Sequence, residues 1–426
     1  MEKQLSTGGK EILLKSVAQA ILVFAMSVFS LPKGLCKEII DLIAQFWWGD
    51  DEDHKRMHWY TWRKLCYPKC DGGMGFRDLY SFNLRMLSKQ CWRLITNPDS
   101  LCAKVLKAKY YPNVSLLQAT LRNRASFTWQ SIMKGLDTFK LGYIWWIGTG
   151  GNVNIWTNPW IPSSQDRKII SHRGQTILSS VSDLIDPTIE TWDEELVRTI
   201  FNPVDVRRIL QIPLNVGAFE DFIAWNPDGK GIFSVKSAYK LQWNHSLHAH
   251  VNVLRRSGAS RSPEIWNILW KINAPRKVLI FGRRVLHGII PLKSILTNRH
   301  IGSDAACPVC HQDAEDIRHL LFDCCHAREL WNNLGISEIV DEAKQIDRSG
   351  SVIMEHLLTV PDKILPIKPN LNIKHVLLVG AWYLWSIRRE LTHNGKPPPS
   401  MRWHMSVLAI ASNFHEANNK QKCIGG

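Results

Sequence analysis

Residues 307–324 read "CPVCHQDAEDIRHLLFDC". Cys307, Cys310, His319 and Cys324 fall there in the order Cys-x2-Cys-x8-His-x4-Cys. Two cysteines separated by two residues can form a turn that aims both sulfurs at one ion. Four soft or borderline ligands with no position left for water make a closed tetrahedral zinc site. A closed site is structural: one Zn2+ supplies folding free energy that a short segment cannot obtain from a small core, and so fixes the helices on either side. The competing reading is an accidental grouping of buried thiols. His311, Cys325 and His326 are near enough in sequence to compete as ligands.

The surroundings of this cluster are basic. Residues 255–300 carry Arg255, Arg256, Arg261, Lys271, Arg276, Lys277, Arg283, Arg284, Lys293 and Arg299 against the single acid Glu264. The whole 426-residue chain has 53 Lys and Arg against 38 Asp and Glu, a formal net charge of +15. Cations beside a zinc-pinned helix suit phosphate contacts, which give affinity and salt dependence but no sequence reading. Lys271, Arg276, Lys277, Arg283, Arg284, Lys293 and Arg299 are therefore the candidate nucleic-acid-binding residues. For any one of them the plainer alternative is a solvated charged face. A second basic stretch, Arg77 to Arg124, includes Lys104, Lys107 and Lys109 near Tyr110 and Tyr111, which either stack on bases or pack internally.

A weaker grouping, His54, His58, Cys66 and Cys70, has suitable ligand types. Lys55, Arg56, Arg63 and Lys64 lie among them, and a cation-rich shell opposes a further cation. The remaining cysteines are sparse, with none between Cys102 and Cys307. That pattern indicates reduced thiols and one metal cluster, not a secreted disulfide framework. The most apolar run, Val17 to Leu31, contains Gln19 and Ser27 and is too short to span a bilayer. No signal peptide is evident at the N-terminus. A soluble intracellular protein is expected, in nucleus or cytoplasm, with no membrane partner and no small-molecule substrate.

The expected fold class is α+β, predominantly helical, in five segments. Residues 1–142 read as helices, with Asp78, Ser100 and similar residues at caps. Within them Gly72-Gly73-Met74-Gly75 lacks the strand before it and the Lys-Ser/Thr after it that a phosphate loop needs, so it reads as a tight turn. Residues 143–244 carry two aromatic and β-branched units. "YIWWIGTGGNVNIWTNPWIP" turns on glycines, "FIAWNPDGKGIFSVKSAY" turns at Asn226 to Gly231, and both read as β-hairpins, with Ser237 capping the helix after the second. Residues 245–263 read as a linker. Residues 264–335 form the zinc-stabilised helical module. Residues 336–426 supply a Pro-rich connector, "VPDKILPIKPN", and a last helix from Ile373 to Arg389. No converging set of carboxylates, no Gly-x-Ser-x-Gly and no phosphate loop is present to carry polymerase, nuclease or hydrolase chemistry.

Several blocks together, "FWWGDDEDHKRMHWYTWRKLCYPKCDGGMGFRDL", "IGTGGNVNIWTNPWIP", "APRKVLIFGRRVLHGIIPLKSIL" and "CPVC…EDIRHLLFDCCHARELW", resemble plant LINE-type (non-LTR) retrotransposon polyproteins. The resemblance is to the region downstream of the polymerase palm that ends in the reverse-transcriptase zinc-binding domain. The family motif falls on Cys307, Cys310, His319, Cys324, Ala327 and Trp331, which selects Cys324 over Cys325. Arg283 stands where the family's tryptophan is expected, which implies weaker packing beside the cluster. The resemblance implies a nucleic-acid-binding connecting segment without the reverse transcriptase and ribonuclease H that flank it in such polyproteins. The expected function is accordingly non-catalytic zinc and nucleic-acid binding. The alternatives are an enzyme fragment, reverse transcriptase or ribonuclease H, active only with its missing domains, and a protein-interaction scaffold.

Overall fold

The computed structural model describes residues 5–49, 56–121, 123–164, 166–214, 220–241, 262–394 and 399–424. His54 and most of the stretch read as a linker, 245–261, lie outside the described residues. The fold is α+β and predominantly helical, and the strands among the described residues form three two-stranded antiparallel sheets. The chain divides into two compact units, each discontinuous in sequence. One is Gln19–Glu38 with Asp78–Gly258; the other is Met1–Ala18 with Ile39–Arg77 and Ala259–Gly426.

In the first of these, the helices Leu79–Thr96 and Phe127–Lys140 form the framework. Asp78 and Ser126 cap them, accepting from the backbone N–H of Ser81 and Trp129. The two helices meet closely at Gly135, where an added Cβ would come within 2.6 Å of the Leu87 backbone. Ser88 Oγ donates to the Gly135 carbonyl at that crossing. Tyr110 and Tyr111 both stack on the buried Trp129 ring, at 4.6 and 5.4 Å between centroids. Of the two roles open to these tyrosines, packing is the one the fold uses.

The aromatic runs at Tyr143–Trp146 and Phe222–Trp225 become strands that pair with each other, Tyr143 opposite Trp225 and Trp146 opposite Phe222. The local partner expected for the first run, around Ile155, is diverted: Asn154 Oδ1 accepts from the backbone of Trp156 and Thr157 and folds the chain into a turn. The glycine-rich turn between them is an anion nest filled by the chain itself. Backbone N–H groups of Gly148, Gly150 and Asn152 all donate to the Asp221 carboxylate at 2.8 Å. In the second aromatic stretch, 222–239, the turn closes, Trp225 N donating to Gly231 O, but the chain then enters a helix at 235–241. Ser234, not Ser237, caps it, accepting from Ser237 N at 3.1 Å.

The other compact unit has one continuous apolar core. It is built from the helices Pro263–Lys271, Arg276–Leu286, Cys325–Asn333, Ser337–Ile346, Gly350–Thr359, Ile373–Asn394 and Trp403–Ile424, with the Cys/His loop among them. The helix Trp403–Ile424 is an element beyond the last one expected from sequence, and the Pro-rich connector contains a small hairpin, Ile364–Leu365 with Lys368–Asn372. Gly72–Gly75 forms the expected tight turn. Gly72 and Gly75 have φ of 78° and 68°, and an added Cβ on Gly73 would overlap the Tyr67 carbonyl.

Candidate metal centre and its basic surroundings

Local backbone geometry brings the four ligand residues together. Ala306 and Ala314 bridge, Cys307 N donates to Asp313 O at 2.7 Å, and His311 N donates to Cys307 O at 2.9 Å. The knuckle is tight enough that His311 adopts φ 58°, a left-handed conformation that strains a side chain bearing a Cβ. His319 then opens a π-helical turn, His319–Asp323, closed by Cys324 N donating to His319 O at 2.7 Å. This five-residue step sets His319 and Cys324 on one side, and such turns concentrate at functional sites. The donor atoms of Cys307, Cys310, His319 and Cys324 all lie within 4.8 Å of one another. A zinc tetrahedron with sulfur bonds of about 2.3 Å has ligand edges of about 3.8 Å, so the residues present fit that ion with a small contraction.

The electrostatics of the site favour a cation. Cys307 is fully buried and Cys324 is 2% exposed. A hydrogen bond from Cys324, with backbone N–H groups of Cys310 and Val309, holds the Cys307 thiol well below its usual range. That same pairing, together with burial, pushes the Cys324 thiol up. Two buried sulfurs that share a hydrogen bond are placed so that one divalent ion would hold both as thiolates. His319 Nε2 faces Cys310 Sγ at 3.2 Å while its Nδ1 lies 3.6 Å from an Asp313 carboxylate oxygen. A carboxylate behind the second ring nitrogen orients a ligating imidazole.

The competitors stand elsewhere. Cys325 and His311 are exposed, and the His326 ring packs on Trp403 at 5.3 Å. Among the described residues no second group of metal-capable side chains gathers. Of the weaker grouping, Cys66 is buried, Cys70 is exposed and the His58 ring stacks on Trp48.

The loop is fastened to the core by residues that carry no motif of their own. Glu315, fully buried, takes a two-point grip from Arg388, Nε and Nη2 donating at 2.6 and 2.7 Å, and also accepts from Lys293 N at 2.8 Å. Trp331 Nε1 donates to Leu321 O at 2.7 Å, and its ring fills the space that a Cβ on Gly380 would need. Gly350 lies so close to the Ile317–Arg318 backbone that an added Cβ would come within 2.4 Å of Arg318 N. The signal available in the sequence for Glu315 is its place between the ligand pairs, an acid in a segment that must be buried. Nothing local points to Arg388 as its partner.

The seven basic candidates divide. Lys271, Arg276, Lys277 and Arg299 are exposed, with Lys277 Nζ 4.3 Å from the centre of the Trp382 ring and the Arg299 guanidinium 4.8 Å from that of Trp59. Lys293 is paired with Asp304 at 2.6 Å. Arg284 is half-buried, its pKa brought down to about 10 by burial and by the neighbouring Arg389. Arg283 must be withdrawn from the surface set. It is 2% exposed, donates from Nε to Gly72 O at 2.6 Å and lies over the Tyr60 ring, so no phosphate can reach it without opening the core. In the position expected for tryptophan it packs on Tyr60 as a flat cation, its pKa lowered to about 10 by desolvation.

A knuckle of two cysteines, a histidine and a last cysteine, set in a helical core, defines a zinc-binding module. Residues 233–331 match the family model described as zinc-binding in reverse transcriptase. The chain is 38% identical over 143 residues to "Uncharacterized mitochondrial protein AtMg00310" of Arabidopsis thaliana, covering 33% of this chain and 93% of that protein. It is also 30% identical over 337 residues to "Putative ribonuclease H protein At1g65750" of the same organism, covering 78% of this chain. It spans about half, 52%, of that second protein's length. The chain belongs to the plant LINE-type retrotransposon polyproteins, in the region that carries the reverse-transcriptase zinc-binding domain. Among the described residues, no helix is long and apolar enough to cross a membrane.

Proposed function

We propose that this segment is a non-catalytic nucleic-acid-binding part of its polyprotein, in which one structural zinc on Cys307, Cys310, His319 and Cys324 holds a basic helical face in place. The observation that carries the reading is a Cys3His set whose donor atoms lie within 4.8 Å of one another, in the same compact unit as the exposed cations Lys271, Arg276, Lys277 and Arg299. Zinc at such a site supplies folding energy and no open coordination position. The exposed cations then bind phosphates by displacing counterions, without choosing a sequence. Binding of a labelled duplex, measured against salt, is the test. Each phosphate contact contributes about 0.9 to the slope of log K against log[salt], so Lys271→Ala with Lys277→Ala is expected to flatten the slope by about 2. Binding that does not weaken as salt rises, or a slope unchanged in the double variant, contradicts the assignment.

The name of one relative favours a second reading, that the segment belongs to the working apparatus of a ribonuclease H. Against it, the described residues gather no set of three carboxylates such as a two-metal nuclease uses. The full chain, supplied with Mg2+ and an RNA–DNA hybrid, is expected to cut nothing above background. Cleavage that survives repurification would reverse the order of the two readings.

A further inference from the structure

The compact unit containing residues 78–258 holds a cavity of about 430 Å³, lined by none of the residues discussed for zinc or phosphate. Its walls are aromatic: Trp145, Trp146, Trp160 and Trp225 line it, with Arg208 and Asn226 among the polar groups. Trp146 is 46% exposed and lies flat on Phe222, itself 48% exposed, with ring centroids 5.7 Å apart and planes 12° from parallel. Two large aromatic rings left to solvent in a stacked pair form a platform, whereas Tyr110 and Tyr111 are stacked on the buried Trp129 ring. Two of the lining residues carry buried donors: Trp145 Nε1 has no hydrogen bond, and Arg208 Nη1 is ion-paired with Asp205 at 3.7 Å.

Flat aromatic walls and one guanidinium describe a ligand that is planar and attached to an anion. We infer that this cavity is a nucleotide site, taking one unpaired base of a single strand between its indoles, with Arg208 toward the adjoining phosphate. Bases stack on aromatic side chains whatever their sequence, and the cavity is of ligand size. The inference rests on the nucleic-acid reading above and adds a single-strand contact that the basic helices do not provide.

Ligand-observed NMR with adenosine 5′-monophosphate on the full chain tests it, because a mononucleotide is too small to report on the polyanion face. Two variants accompany the wild type. Trp146→Ala removes the exposed stacking ring. Gly229→Phe adds a ring at a lining position whose Cβ would meet nothing within 4 Å. The expected result is saturable binding at millimolar nucleotide, weakened roughly 10-fold by Trp146→Ala and abolished by Gly229→Phe, with duplex affinity unchanged in both. No binding by the wild type, or binding that Gly229→Phe leaves intact, overturns the site. Nucleotide binding retained by a chain that binds no duplex would contradict the basic-face assignment alone.

Discussion

Removing the metal is expected to melt the segment from the knuckle to Trp331 and to lower the thermal transition of its compact unit by on the order of 10 °C. Structural zinc contributes about 10–16 kcal/mol in isolated finger peptides. Here the ion need supply only part of that, since Leu320, Leu321, Phe322 and Trp331 also pack into the apolar core. A loss of roughly 4 kcal/mol is still a large share of a domain's stability, and at 2–4 °C per kcal/mol it gives a shift of that order. Cys310→Ser should reproduce the effect with little change of packing, because Cys310 is the least buried of the three thiols. Cys325→Ser, exposed at the first turn of the next helix, should change neither the transition nor the metal content. Calorimetry of the wild type with and without chelator, beside both variants, gives the comparison.

The second large effect is expected at Glu315 and Arg388. Arg388→Ala leaves a carboxylate with no exposure facing an apolar core, and breaking a buried pair in this way costs about 3–5 kcal/mol. Glu315→Ala should cost as much and should also weaken metal binding, because Glu315 fixes the loop between the two ligand pairs. The double replacement by methionine should recover most of the loss, since a buried ion pair replaced by apolar groups of similar volume is often close to neutral. Urea unfolding of Glu315→Met, Arg388→Met and the double methionine variant closes the cycle. A double variant as unstable as the sum of the singles would show that the pair is not acting as a unit.

How much of this is legible in the sequence depends on the range of the interactions. The Cys307–Cys324 cluster is, because ligand type and spacing are local properties, and the resemblance chooses Cys324 where spacing leaves Cys325 open. The caps at Asp78 and Ser100 are, for the same reason. The pairing of Tyr143–Trp146 with Phe222–Trp225 is not: two runs with strand composition each suggest a local partner, and only the tertiary fold joins them. Arg283 shows the limit for charge. Its place among basic residues suggests surface, whereas a helix with period 3.6 turns this one position onto Tyr60 and Gly72 while Lys277 on the same helix stays outside. Glu315 and Arg388 lie 73 positions apart, and no local pattern ties an acid in a loop to a base on the helix Ile373–Asn394.

The most direct test of the account is zinc content by elemental analysis of purified, chelator-washed protein, with Cys310→Ser alongside. About one zinc per chain in the wild type and none in the variant is the predicted result. A folded wild-type chain that holds no zinc would contradict it, and with it the claim that a metal holds the basic face in place.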